Sequence, residues 1–178
     1  MLNAVEAVLI CLVMQAAVTD LTLRKIPNVL VLCGLPLALV LHMVVQPDWA
    51  ALWTWLLGLL VGFLLFLPLY LLRGMAAGDV KLMAMVGAFA GPAGALQIGM
   101  ATFIIGGVMG LALMAVNGRL RQGLYNLHAM LWPLLLRLLG VPLQPVLLAP
   151  GASVGGMPYG VAIACGTLTS IAAAHYPF

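Results

Sequence analysis

The run WAALWTWLLGLLVGFLLFLPLYLL at residues 49–72 contains no charged side chain. A helix of this length is about 36 Å long, which exceeds the roughly 30 Å hydrocarbon core of a bilayer. The rest of the chain has the same character, since 65% of the 178 residues are hydrophobic, 6% are charged and the mean hydropathy is +1.22. The sequence therefore predicts an all-α polytopic integral membrane protein, with residues 1–178 in a single membrane-embedded domain.

About six stretches are long and apolar enough to be interpreted as transmembrane helices. The stretch 82–116 is too long for one span, and Gly91-Pro92-Ala93-Gly94 is its natural break. The predicted helices run from about Leu2 to Val18, Pro27 to Val45, Trp49 to Leu72, Asp79 to Ala90, the break to Val116, and Pro158 to His175. The fourth is only about 18 Å long, which would place Asp79 below the membrane surface.

The segment after the fifth predicted helix has a different pattern. Between Asn117 and Gly140, leucines recur at alternating spacings of four and three, with arginine and amide side chains between them. This stripe predicts an interfacial amphipathic helix on the inner leaflet in place of a seventh span. The residues from Val141 to Met157 are rich in Pro and Gly and are interpreted as a loop.

The basic residues predict the orientation of the helices. All seven Lys and Arg lie in or beside alternate connections, and the other connections hold none. The positive-inside rule places the basic connections in the cytoplasm, so both termini should face away from it and Asp20 and Asp79 should share the cytoplasmic side. The N-terminal stretch has no basic start and carries Glu6, so we expect a retained helix there and no cleaved signal peptide.

Asp20 and Asp79 are the candidate catalytic residues. Each is an ionisable group at the end of an apolar run, where ionisation is costly, and two carboxyls brought together can share a proton and activate a water. Each acid also has a simpler interpretation: Asp20 as a water-exposed end residue paired with Arg24, and Asp79 as the N-cap of its helix. Glu6 and Asp48 fall on the opposite side and are expected to be solvated.

Other chemistries have less support. The net charge of +3 comes from scattered basic residues, which does not indicate a nucleic-acid partner. No metal or cofactor is expected, because the histidines and cysteines have no metal-ligand spacing and no nucleotide-binding glycine loop is present. Gly151-Ala152-Ser153-Val154-Gly155 matches the nucleophile-elbow pattern, but it lacks the preceding strand and following helix that the elbow requires.

Three short motifs resemble those of a known family. Asp20-Leu21-Thr22-Leu23-Arg24-Lys25-Ile26-Pro27-Asn28 resembles the first active-site signature of the type IV prepilin peptidases, and Ala77-Gly78-Asp79-Val80-Lys81 resembles the second. Met157-Pro158-Tyr159-Gly160-Val161-Ala162-Ile163-Ala164 is similar to the start of that family's last helix. The three matches occur in the expected order and cover essentially the whole catalytic membrane domain.

The resemblance implies an intramembrane aspartyl endopeptidase that removes the short basic leader of type IV prepilins and pseudopilins at the cytoplasmic face. Its location would be the bacterial inner membrane, with both termini in the periplasm. It implies that Asp20 and Asp79 are catalytic and that no cofactor is needed. Membrane lipid and pilus or secretion assembly proteins would be further partners. The residues implied in substrate binding or loop positioning are Arg24, Pro27, Asn28, Gly78 and Lys81.

Two departures from the family pattern bear on this interpretation. Ala76 stands where the family usually has the first glycine of its G-x-G-D motif. Larger members of the family carry an N-terminal cytoplasmic region with paired cysteines and a methyltransferase activity, and this sequence shows neither. It therefore resembles the short, peptidase-only branch associated with tight-adherence (Flp-type) pili, and N-methylation is not predicted. Two other classes stay open: a proton-coupled membrane carrier that uses the acids as protonation sites, and a non-catalytic subunit of a secretion or pilus assembly complex.

Overall fold

The structure is a computed structural model that describes residues 3–72, 74–118 and 157–175. These residues form helices and turns, and no strand occurs among them. The helices are α1 Ala4–Leu23, α2 Asn28–Val45, α3 Trp49–Leu71, α4 Ala77–Val116 and α5 Tyr159–His175. The all-helical class predicted from the sequence therefore holds for the described part of the chain.

Helix α1 is longer than the sequence predicted. It begins with a capping box in which the Asn3 side chain accepts from the Glu6 N–H at 2.8 Å and Glu6 accepts from the Asn3 N–H at 2.9 Å. The predicted end at Val18 is wrong, because the helix continues to Leu23. The polar residues beyond Val18 fit this last turn, since the Thr22 hydroxyl donates to the Val18 carbonyl at 2.9 Å. Asp20 consequently lies inside α1.

Helices α2 and α3 follow their predicted bounds closely. Pro27 precedes the first residue of α2 in an extended conformation, and the Asp48 carboxylate caps α3 by accepting from the Trp49 N–H at 2.6 Å. On α3, a side chain at Gly58 would collide with the carbonyl of Gly87 in α4. A side chain at Gly62 would collide with the carbonyl of Met83 in the same way, so the backbones of α3 and α4 are in close contact.

Helix α4 doubles back at Gly91. This residue has φ 72° and ψ 176°, a backbone conformation that is essentially restricted to glycine. A Cβ placed on Gly99 would lie 3.6 Å from Met83 Cε, whereas the two residues would be about 24 Å apart along a straight helix. The predicted break is thus confirmed, and it divides α4 into a first arm, residues 77–90, and a second arm, residues 92–116.

The first arm is the centre of the bundle. Every residue from Asp79 to Phe89 is buried except Lys81, so this segment is enclosed on all sides. Large apolar side chains on the other helices remain exposed on the outer surface, as at Val29 and Val44, which suits contact with lipid. Asp79 is therefore carried by the most enclosed segment among the described residues.

The count of six spans is not confirmed. Within the described ranges, four helices, α1 to α4, have the length and hydropathy to cross a membrane, and α5 is a shorter apolar helix of 17 residues. The predicted fourth and fifth spans are the two arms of α4, and the first arm is about 21 Å long. The predicted interfacial helix from Asn117 to Gly140 and the loop from Val141 to Met157 lie almost entirely outside the described residues; Asn117 is the C-cap of α4.

Candidate active site

The two candidate catalytic acids lie at the same end of the helix bundle. Asp20 is in the last turn of α1, and Asp79 is in the first turn of α4. Their exposed fractions are 7% and 6%, and the Asp20 carboxyl is near enough to act electrostatically on Asp79. The structure therefore brings together two buried carboxyls that are far apart in the sequence.

Asp20 is held by α5. The Gly160 N–H donates to Asp20 Oδ2 at 2.7 Å, in a buried environment. Gly160 is the second residue of α5, and N–H groups in the first turn of a helix have no partner within the helix itself. The interpretation of Asp20 as a water-exposed end residue is wrong, because its side chain is enclosed by this packing. Arg24, its expected partner, donates its main-chain N–H to the Asp20 carbonyl at 3.1 Å.

Asp79 forms a hydrogen bond at the beginning of its own helix. Its Oδ2 accepts from the Ala76 N–H at 3.1 Å. Asp79 is the third residue of α4, so the carboxylate caps the helix from inside the first turn and is not the N-cap that one interpretation assigned to it. Ala76 is the N-cap, with φ −81° and ψ 153°, a conformation open to any residue. The backbone therefore accepts alanine where the family usually has glycine.

Tyr159 and Gly160 are site residues that the sequence analysis did not single out. Tyr159 immediately precedes Gly160, and the Asp79 carboxyl acts electrostatically on the Tyr159 hydroxyl. Two consecutive residues of α5 therefore approach both acids. The signal that could have identified them was the similarity of Met157-Pro158-Tyr159-Gly160 to the start of the family's last helix.

Four of the implied positioning residues lie where the starts of α2 and α4 meet. Lys81 Nζ donates to Asn28 Oδ1 at 3.1 Å, and both side chains are exposed. A Cβ on Gly78 would lie 3.4 Å from Ile26 Cβ, so the first turn of α4 packs on the α1–α2 connection. The Pro27 carbonyl accepts from the Leu30 N–H at 3.1 Å at the start of α2.

The fifth positioning residue, Arg24, ends α1. It has φ 53° in the left-handed region and is exposed. This conformation turns the chain from α1 into the connection that contacts Gly78. All five positioning residues therefore lie at the same end of the bundle as the two acids.

The opposite end of the bundle has its own polar contacts. Glu6 accepts from His175 Nε2 at 2.9 Å, which joins the start of α1 to the end of α5. Glu6 therefore keeps contact with solvent, as expected, but only in part, since 22% of its side chain is exposed. His42 Nε2 lies 3.1 Å from the carbonyls of Ala88 and Phe89, beside the Gly91 turn. A cavity of about 400 Å³ at this end has both Glu6 and His42 in its lining, and neither candidate acid contributes to it.

The fold and the site define a class: a helical membrane protein that encloses a pair of carboxyls at one end of its bundle. The model of the type IV leader peptidase family matches residues 7–113, which is more than half of the chain and contains both acids. The chain belongs to the type IV leader peptidase family. Comparisons with curated proteins and with solved structures give no match. Helix α5 lies beyond the matched residues.

Proposed function

We propose that the chain is an intramembrane aspartyl endopeptidase that removes the short basic leader of type IV prepilins and pseudopilins. The observation that carries the proposal is the burial of Asp20 and Asp79 together at one end of the bundle, within the residues that match a leader peptidase family. A buried carboxyl pair is suited to general acid–base catalysis, because like charges at close range favour a single shared proton.

In the proposed reaction, one aspartate is ionised and the other is protonated. The ionised carboxylate takes a proton from a water whose oxygen attacks the scissile carbonyl carbon, while the protonated carboxyl donates to the carbonyl oxygen. Collapse of the tetrahedral intermediate breaks the C–N bond, and a proton passes to the leaving amine. The acids exchange roles in the course of the cycle.

The arrangement of the site suits a substrate that is apolar on one side of the cut and basic on the other. The apolar helix of a pilin precursor would lie against the exposed apolar surface of the bundle, and its basic leader would stay in water. In this proposal the site faces the cytoplasm of the bacterial inner membrane, both termini are periplasmic, and residues 1–178 act as one peptidase domain. Arg24 and Lys81 would orient the connections or contact lipid head groups. Proteins of pilus or secretion assembly are further proposed partners.

Co-expression with a candidate prepilin tests the proposal. The unsubstituted protein, Asp20→Asn and Asp79→Asn are compared at matched membrane levels, and the pilin is analysed by mass spectrometry. Asp48→Asn is the matched control, since Asp48 caps α3 and an asparagine can also cap. We expect leader removal by the unsubstituted protein and by Asp48→Asn, and a loss of at least about 10²-fold in the rate of removal by the other two variants. Cleavage by either site variant at the rate of Asp48→Asn contradicts the two-aspartate mechanism.

A further inference from the structure

We propose that the first turn of α5 completes the active site, with the main-chain amide of Gly160 positioning the Asp20 carboxyl for catalysis. The inference rests on the proposed function and assigns a role to a residue outside both aspartate motifs. Gly160 follows Asp20 by 140 residues, and its N–H donates to Asp20 Oδ2 at 2.7 Å. The hydrogen bond therefore joins the last described helix to the first.

The site leaves no space for a side chain at Gly160. A Cβ at this position would lie 2.9 Å from Asp20 Oδ2, 3.0 Å from Asp20 Cβ and 3.2 Å from Asp20 Cγ. All three atoms belong to a short side chain that is 7% exposed, so the carboxyl cannot move away without displacing its neighbours. Glycine is required here because the amide must come within hydrogen-bond distance of the carboxyl.

The placement of α5 is fixed by contacts away from the acids. A Cβ on Gly166 would collide with Thr102 in the second arm of α4, so the two helices are in close contact there. At the far end of α5, His175 is paired with Glu6 of α1. Helix α5 is thus attached to α1 at both of its ends and to α4 in its middle. This attachment holds the Gly160 amide at a defined position relative to Asp20.

The same turn also reaches the second acid. Tyr159 has its hydroxyl within electrostatic reach of Asp79, while Gly160 bonds Asp20. A shift of this turn would change the surroundings of both carboxyls at once. Catalysis depends steeply on such placement, since a displacement of about 1 Å can reduce a rate on the order of 100-fold.

Three glycine substitutions separate a positioning role from a packing role. Gly160→Ala places a methyl group against the Asp20 carboxyl. Gly166→Ala places one against Thr102, away from the acids, and Gly107→Ala meets no atom within 4 Å. Each purified variant is assayed for prepilin cleavage, with kcat and KM measured across pH and the amount of folded protein measured in parallel. Asp20→Asn and the unsubstituted protein are assayed in the same series.

We expect Gly160→Ala to reduce kcat on the order of 100-fold with little change in KM. The shape of its pH–rate profile should also change, because the added methyl group displaces the Gly160 N–H from the Asp20 carboxyl. Asp79 from α4 interacts electrostatically with Asp20, and Tyr159 from α5 interacts electrostatically with Asp79. Gly166→Ala should reduce the folded fraction, and its kcat per folded molecule should fall less than that of Gly160→Ala, because its methyl group reaches Asp20 only through a shift of α5. Gly107→Ala should match the unsubstituted protein.

The inference is overturned if folded Gly160→Ala keeps the kcat and pH profile of Gly107→Ala while Asp20→Asn is inactive. That result would leave the proposed function standing. Absence of cleavage by the unsubstituted protein overturns the proposed function and this inference with it. If Gly160→Ala does not fold, glycolic acid incorporated at position 160 carries the same test, since it replaces the N–H by oxygen and adds no volume. Unchanged kcat in that ester variant also contradicts the positioning role.

Discussion

Substitution of Gly91 by alanine tests the turn that divides α4. Gly91 has φ 72° and ψ 176°, and forcing an L-residue into this region costs about 1–3 kcal/mol. A Cβ there would also lie 3.0 Å from Thr54 Cγ2 on α3, which is closer than ordinary van der Waals contact. We therefore expect Gly91→Ala to lower the free energy of unfolding by about 2–3 kcal/mol, which corresponds to a decrease in Tm of about 4–12 °C for a chain of this size.

The measurement is thermal or denaturant unfolding of the purified protein in detergent. Gly107→Ala is the matched control, because it lies in the same helix, and a Cβ there meets nothing within 4 Å. The double variant Gly91→Ala, Thr54→Ser removes the crowded methyl group and keeps the hydroxyl that donates to the Ala50 carbonyl at 2.9 Å. The double variant should regain the stability that Gly91→Ala loses through the clash with Thr54. It should not regain the stability that is lost through the strained backbone at position 91. Equal Tm values for Gly91→Ala and Gly107→Ala would refute the assignment of Gly91 as a strained turn.

Three further predictions follow from individual contacts. Asp79→Asn should lower kcat for prepilin cleavage by about 10²–10⁴-fold while thermal unfolding changes little, since an amide oxygen can still accept from the Ala76 N–H at 3.1 Å. His42→Leu should lower the free energy of unfolding by about 1–3 kcal/mol in denaturant titrations, because two carbonyls beside the Gly91 turn lose their donor. A double-mutant cycle on Lys81→Met and Asn28→Ala, measured by denaturant titration, should give a coupling energy below about 1 kcal/mol, because the hydrogen bond between these two side chains is exposed. A larger coupling energy would show that this hydrogen bond holds α2 to α4.

Local patterns in the sequence predicted the features that depend on local chemistry. Gly91 followed by Pro92 predicted the break in α4, because a glycine turn and the missing proline N–H both interrupt a helix. The same kind of reasoning ended α1 too early, at Val18. Threonine and aspartate beyond that point look like a helix end by polarity, but the Thr22 hydroxyl bonds back to the helix and Asp20 is enclosed by α5.

Contacts between distant parts of the chain were beyond the reach of sequence reasoning. The Gly160 amide on Asp20 and the His175 ring on Glu6 join residues at opposite ends of the chain, and no local pattern encodes such partners. The sequence did indicate that Asp20 and Asp79 belong together, because alternation of the basic connections placed both on one side. Which residues enclose the acids depends on how α5 packs, and that packing is set by close contacts such as Gly166 on Thr102.

The polar groups at the two ends of the bundle are closer together than the two faces of a typical hydrocarbon core. Glu6 and Asp20 lie on one helix with about 21 Å between them, and the first arm of α4 gives the same length from Ala77 to the Gly91 turn. This distance is about two thirds of a typical hydrocarbon core. Helix α3 is about 35 Å long, so its lipid-facing surface matches a bilayer of full thickness, and water in the cavity beside His42 would lie below the level of the surrounding lipid. The membrane voltage would then fall over a shorter path through the protein than through lipid, which would strengthen the electric field along the bundle that carries the two carboxyls.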